Sequence, residues 1–163
     1  MNELTTKILI EAILITALLS VIGYFFFRRE KVFEKKLQHK HDTLRELLGP
    51  IRMQLIRSKI ALEHYKQDRH SFKEAILKEC NETVRDTLLT KGHLIPSDLI
   101  DSAADFISHY DRWLQAYHMW RVETHDEDRA FVFIGGFPKE AEQKFSEKYE
   151  AYRKELKIED SLN

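Results

Sequence analysis

Twenty residues from Ile8 to Phe27 carry a single charge, Glu11, and run straight into Arg28-Arg29. At a rise of 1.5 Å per residue, a helix of that length spans about 30 Å, the thickness of a bilayer's hydrocarbon core. No small-residue cleavage site follows the run, as a removable signal peptide would require. The aromatic residues Tyr24–Phe27 instead suit a membrane interface. Arg28, Arg29, Lys31, Lys35 and Lys36 come next as a basic cluster that suits anionic lipid headgroups. Lys7 is the one basic side chain before the run, so the positive-inside bias predicts a definite topology. Residues 1–7 form a short external N-terminus, 8–27 a transmembrane helix, 28–48 a basic juxtamembrane helix and 50–163 a helical cytoplasmic domain. The expected location is a bacterial inner membrane crossed once, with the bilayer as a partner.

Glu11 lies one turn from Lys7, with which it can pair; an acid inside a membrane segment otherwise marks a functional position. Ala12, Thr16 and Ser20 repeat at four-residue spacing, and Gly23 lies close to the same face. Small residues so arranged let helices approach closely, which points to a homo-oligomer.

Charge beyond the apolar run is uneven. Residues 28–69 hold 12 Lys and Arg against 6 Asp and Glu, a net of +6, whereas 70–163 hold 13 against 19, a net of −6. A basic part near the membrane and an acidic part beyond it fit a domain held under an anionic leaflet. Cys80 is the only cysteine, which rules out an intrachain disulfide, and its apolar neighbours Ile76, Leu77 and Val84 predict a buried thiol.

The rest of the chain reads as helices. Phe33, Leu37, Leu44 and Leu48 form a thin stripe that Gly49-Pro50 is expected to end. A helix from Pro50 to Gln67 places Ile51, Leu55, Leu62 and Tyr65 on one face. Ser71 and Glu74 have capping-box spacing, ahead of a helix to Thr90 that buries Phe72, Ile76, Cys80, Val84 and Leu88. The pattern is clearest over Asp98–Arg121, where Leu99, Ala103, Phe106, Ile107, Tyr110, Trp113, Leu114, Tyr117 and Trp120 recur at helical steps. Residues 130–134, Ala-Phe-Val-Phe-Ile, resemble a short strand that stops at Gly135-Gly136. Phe137-Pro138 then opens a last helix with Ala141, Phe145, Tyr149, Tyr152 and Leu156 on its apolar face. The fold expected is all-α with one extended segment.

Motifs that carry chemistry are sparse. Eight histidines include His39-x-His41, but no HExxH or Cys/His cluster occurs, so neither a metal nor a cofactor is expected. There is no GxSxG elbow, and Cys80 has no base beside it in sequence. Gly135-Gly136 precedes a helix whose first N–H groups, beside Lys139, offer a possible phosphate cradle. Polar residues in the least ordinary stretches are the candidate ligand contacts: Arg85, Lys91, His93, His109, Arg112 and Lys139. Basic residues cluster near the membrane segment and aromatics in helical stripes, so DNA is not an expected partner.

Three resemblances add to this reading. Arg112-x5-His118 resembles the Arg-x4–6-His motif of HEPN ribonucleases, which implies Arg112 binding phosphate and His118 acting as acid or base. Trp113 stands where that family usually has a polar residue. The strings Asn81-Glu-Thr-Val-Arg-Asp86, Lys91-Gly-His-Leu-Ile-Pro-Ser-Asp98, His109-Tyr-Asp-Arg-Trp113 and Gly136-Phe-Pro-Lys-Glu-Ala141 resemble a family of bacterial single-pass membrane proteins of unknown activity, over Leu47–Leu156. In layout the chain is also similar to small antiphage membrane effectors, which implies a cytoplasmic sensor answering to a nucleotide or a cytosolic protein partner. The function expected is a non-enzymatic, oligomerising sensor or interaction module at the membrane. A passive scaffold and a membrane-tethered ribonuclease are the alternatives.

Overall fold

The computed structural model describes residues 3–67, 71–123 and 131–160. Side chains at 3–14, 66–67, 71–72, 122 and 158–160 lie outside that description, and with them Glu11, Ala12 and Phe72. The described chain is all-helical. Five α-helices run in the order α1 (Glu3–Thr43), α2 (Gly49–Gln67), α3 (Ser71–Thr90), α4 (Ile100–His118) and α5 (Lys139–Asp160). A π turn, Leu44–Leu48, joins α1 to α2; two 3-10 turns, Gly92–Leu94 and Ser97–Leu99, lead into α4; a second π turn, Met119–Glu123, comes after it.

The chain divides into two compact units, Met1–His39 and Lys40–Asn163. In the first, every described side chain from Ile15 to Lys36 is exposed. Among the described residues no helix is long and apolar enough to cross a membrane. Only thirteen residues of the apolar run, Ile15–Phe27, have described side chains. At helical rise they span about 20 Å, against about 30 Å for all of 8–27.

The second unit is a set of antiparallel helices, and its polar cross-links show the register. Arg57 meets Glu79 and Tyr65 meets Glu74, so α2 and α3 run in opposite directions. Arg85 with Asp111 and Glu74 with Arg121 do the same for α3 and the α4 region. On the other side, Lys40 and Arg52 meet Glu155 and Glu150 of α5. Inside lies one large core: Leu47, Leu48, Ile51 and Leu55, then Val84 and Leu88, then Ala103, Phe106 and Tyr110, then Ala141 and Phe145. Phe106 is fully buried, stacked 5.8 Å from Tyr110 and edge-on 5.3 Å from Phe145. A smaller cluster of Ala61, Tyr65, Leu77, Trp113 and Phe131 forms elsewhere in the unit.

The unit begins at Lys40, whereas the sequence places the turn into the domain at Gly49-Pro50. Thr43 explains the earlier start: it is fully buried and its hydroxyl donates to the Leu94 carbonyl at 3.2 Å.

Several local expectations need correction. Gly49-Pro50 does not stop the helix. Gly49 is helical and its N–H donates to the Leu44 carbonyl five residues back, the bond that defines a π turn. The wider turn accommodates Pro50, whose missing N–H and bulky ring would disrupt an α-helical register. Residues 131–134 form no strand, because no neighbouring strand is present among the described residues to pair with them; Ala130 lies outside the description. Leu62, placed by its spacing on one face with Ile51, Leu55 and Tyr65, is exposed while those three are buried, and Phe33 of the thin stripe is exposed. The carboxylate of Glu74 goes to Arg121 and Tyr65, and the Ser71 side chain of the expected capping box lies outside the described residues.

The π turn fixes the identity of residue 49. A Cβ there would lie 2.9 Å from the Leu44 carbonyl oxygen, closer than packed atoms tolerate. Alanine normally stabilises a helix over glycine by about 1 kcal/mol. Gly49→Ala is expected to reverse that sign and cost about 1–3 kcal/mol, the usual penalty of overpacking. Denaturant unfolding followed by circular dichroism checks it; unchanged or raised stability would show that the π turn yields freely.

Candidate functional site

The most enclosed charged group among the described residues is a carboxylate that the sequence reads only as part of a capping box. Glu74 sits in the first turn of α3, 4% exposed, and Arg121 grips it with two N–H groups, Nε at 2.6 Å and Nη2 at 2.7 Å. The Tyr65 hydroxyl donates to the same carboxylate at 3.1 Å and lies 3.4 Å from the Phe131 carbonyl. Arg121 lies within the second π turn, Met119–Glu123. Burial raises the Tyr65 hydroxyl pKa, and the bond to Glu74 raises that of the Arg121 guanidinium. Three donors on one carboxylate make a closed clamp, suited to holding α2, α3 and the end of α4 together.

His109, a candidate ligand contact, is a core residue. It is 6% exposed and packs edge-on against Tyr110, Phe133 and Phe137 at ring distances of 5.1, 5.6 and 5.4 Å. One ring nitrogen donates to the Gly136 carbonyl, Nδ1 has no partner among the described residues, and burial pushes the imidazole pKa down. The histidine pins the 131–137 strap to α4.

The other candidates are spread over the second unit. Arg85 is bound to Asp111 and to Asp86. Lys91 meets Glu46 at 2.8 Å, joining the end of α3 to the first π turn. His93 is exposed on the 3-10 turn, and Arg112 is exposed with Nε on the Ser108 carbonyl of its own helix. Lys139 is exposed at the start of α5, whose first turn already carries Glu140 and Glu142, so the phosphate cradle read from Gly135-Gly136 meets acidic neighbours. Arg112 and His118 are both exposed and six residues apart on one helix, about 240° round it, so a single chain does not bring them together. His118 lies 3.9 Å from Glu123. Cys80 is buried as expected, with its thiol pKa raised by burial. Among the described residues no group of three His, Cys, Asp or Glu could hold a metal ion.

On the first unit, Thr16, Ser20 and Gly23 are exposed. Ser20 donates back to the Thr16 carbonyl at 2.8 Å, and a Cβ on Gly23 would meet nothing within 4 Å. Arg28, Arg29, Lys31, Lys35 and Lys36 are all exposed; Lys31 pairs with Glu34 at 3.2 Å and stands 5.5 Å over the Phe27 ring.

One concave surface stands out, and the sequence reading missed it. A groove of about 610 Å³ runs between α2 and α3, lined by Met53, Ile56, Ile60 and Ile76 with Gln54, Ala61, Arg57, His64 and Lys73. Met53 and Ile60 are 63% and 51% exposed. The signal was available: residues 53, 56 and 60 form a second apolar stripe at i, i+3 and i+7, distinct from the stripe of Ile51, Leu55 and Tyr65. Comparison with protein-family models, curated proteins and solved structures finds no match for this chain.

These contacts have two measurable consequences. Removing one side of the buried clamp strands the other charge, so Glu74→Ala is expected to cost about 3–5 kcal/mol. Restoring neutrality with Arg121→Met in the same chain should recover part of that loss, as a double-mutant unfolding cycle measures; additive losses would show that the pair is not coupled. Separately, bonds from Lys91 and Arg45 hold the Glu46 pKa down at about 2, below the ordinary 4.5. The stability it contributes is complete above pH 4.5 and is lost as pH falls towards 2. Glu46→Gln should flatten the acid limb of the stability profile over that window, and an unaltered limb would contradict the linkage.

Proposed function

We propose that the chain is a membrane-anchored interaction module that works by binding rather than catalysis. The observation that carries this reading is the exposure of α1. From Ile15 to Phe27 the helix is apolar on every side, and its large side chains are 43–68% exposed. Among the described residues no other element of the first unit covers them. A helix apolar all round is stable only inside a protein core or a bilayer. The remainder of the run, Ile8–Leu14, is equally apolar in sequence apart from Glu11 and brings the length to that of a membrane span. The basic residues from Arg28 onward fit the headgroup layer on the side of the second unit.

Thr16, Ser20 and Gly23 give this helix a small-residue face on which a second copy can pack, which supports an oligomeric form. The second unit supplies the binding part, with its groove on α2 and α3. Alkaline carbonate washing of membranes, followed by protease treatment of inside-out vesicles, tests the proposal. The full chain should stay in the pellet, and a C-terminal tag should be cleaved in inside-out but not right-side-out vesicles. Release into the wash would overturn the anchor, and the reverse protease pattern would overturn the orientation.

A further inference from the structure

We infer that α1 leans on the headgroups of anionic phospholipids through one face, the side bearing Arg28, Arg29, Lys35 and Lys36. The assignment rests on reading α1 as a membrane span, and it names the lipid class that the span selects. At about 100° per residue, the four cations fall within an arc of about 120°. Glu30 and Glu34 lie together on the far side, centred about 180° from the middle of that arc. All six side chains are exposed. Among the described residues none of the four cations is ion-paired, whereas Lys31, which lies outside the arc, is taken by Glu34. One face therefore offers unpaired cations and the opposite face carries the acids.

Position and charge together name the occupant. Phe27 ends the apolar run and Arg28 follows it directly, so the helix itself delivers this face to the headgroup layer. Basic residues that only set orientation act by number and nearness to the span, and need no particular side of the helix. Eight residues on from Arg28, Lys36 stands about 12 Å further along the axis, against about 5–8 Å for one headgroup layer. An upright helix would carry Lys35 and Lys36 past that layer. A tilt of about 20° towards this face, the average for membrane helices, lowers its charges onto the phosphates and lifts Glu30 and Glu34 away. The same face carries bare apolar groups: Val32, 47% exposed, lies near the middle of the arc, and Phe33, 58% exposed, lies beyond its edge. Apolar groups among cations suit the boundary between headgroups and acyl chains, and a soluble phosphate covers neither of them.

The test uses the full chain reconstituted in phosphatidylcholine bilayers that carry a little spin-labelled lipid. Electron paramagnetic resonance measures the share of label slowed against the protein, for phosphatidylglycerol and phosphatidylcholine in turn. Labelled phosphatidylglycerol should associate about fivefold more strongly, the worth of one surface cation beside an anionic lipid. The preference should shrink in about 1 M salt. The decisive variant exchanges two neighbours, Glu34→Lys with Lys35→Glu, which keeps composition, net charge and depth and moves one cation off the face. It should at least halve the preference without altering the helical circular dichroism. A preference unchanged by that exchange would overturn the assignment, because charge count alone would then explain it. Loss of the preference in inorganic phosphate, relative to chloride of equal ionic strength, would assign the face to a soluble anion and overturn it too. Equal slowing of both labelled lipids would overturn the assignment and leave the anchor standing, whereas no slowed lipid of either kind would overturn both.

Discussion

Apolar helix surface must be covered, and the described residues leave two such surfaces bare. On α1 the bare surface wraps the helix completely between Ile15 and Phe27; on α2 it is a stripe and a groove. The two call for different covers. An all-round apolar cylinder requires an all-round apolar medium, whereas a groove is covered by a single packed object. The reading of the chain as a tethered module rests on the first of these surfaces.

The second unit has the connections of a platform. Its main core joins the first π turn and all four remaining helices through Leu47, Leu48, Ile51, Val84, Phe106 and Phe145. The smaller cluster is organised around the Glu74–Arg121–Tyr65 clamp. A buried ion pair is a poor source of net stability, because desolvation offsets attraction. Its geometric effect is more definite: two-point bonding accepts one orientation of the Met119–Glu123 turn, which fixes where α4 ends. The groove's walls, α2 and α3, are the two helices that Tyr65 and Glu74 join.

What sequence shows and what it hides divides along physical lines. Periodicity reports burial, so α3 ends where expected at Thr90, and Phe106, Tyr110, Trp113, Ala141, Phe145 and Leu156 are buried as their spacing predicts. The π turns escape notice because no side-chain preference announces an i to i−5 bond, and Gly49 resembles an ordinary cap. Glu74, read from its spacing as a capping-box residue, and Arg121, 47 residues on, show no sign of pairing until tertiary packing brings them together. The 130–134 stretch has strand composition, but a strand exists only through its partner. Of the site residues read from sequence, His109 proves to be core and Arg85 and Lys91 are ion-paired, because exposed cations near carboxylates find them. The groove was legible in Met53, Ile56 and Ile60 and was hidden only by assigning α2 a single face.

The tethered-module reading stands or falls on lipid covering α1. Nitroxide labels placed one at a time from Ile15 to Lys35, in a Cys80→Ala chain reconstituted in bilayers, measure that cover directly. Residues up to Phe27 should be open to oxygen and closed to a water-soluble nickel reagent, with the contrast inverting near Arg28. Nickel access along the whole helix, or protection repeating every three to four residues as on a helix packed against protein in water, would contradict it.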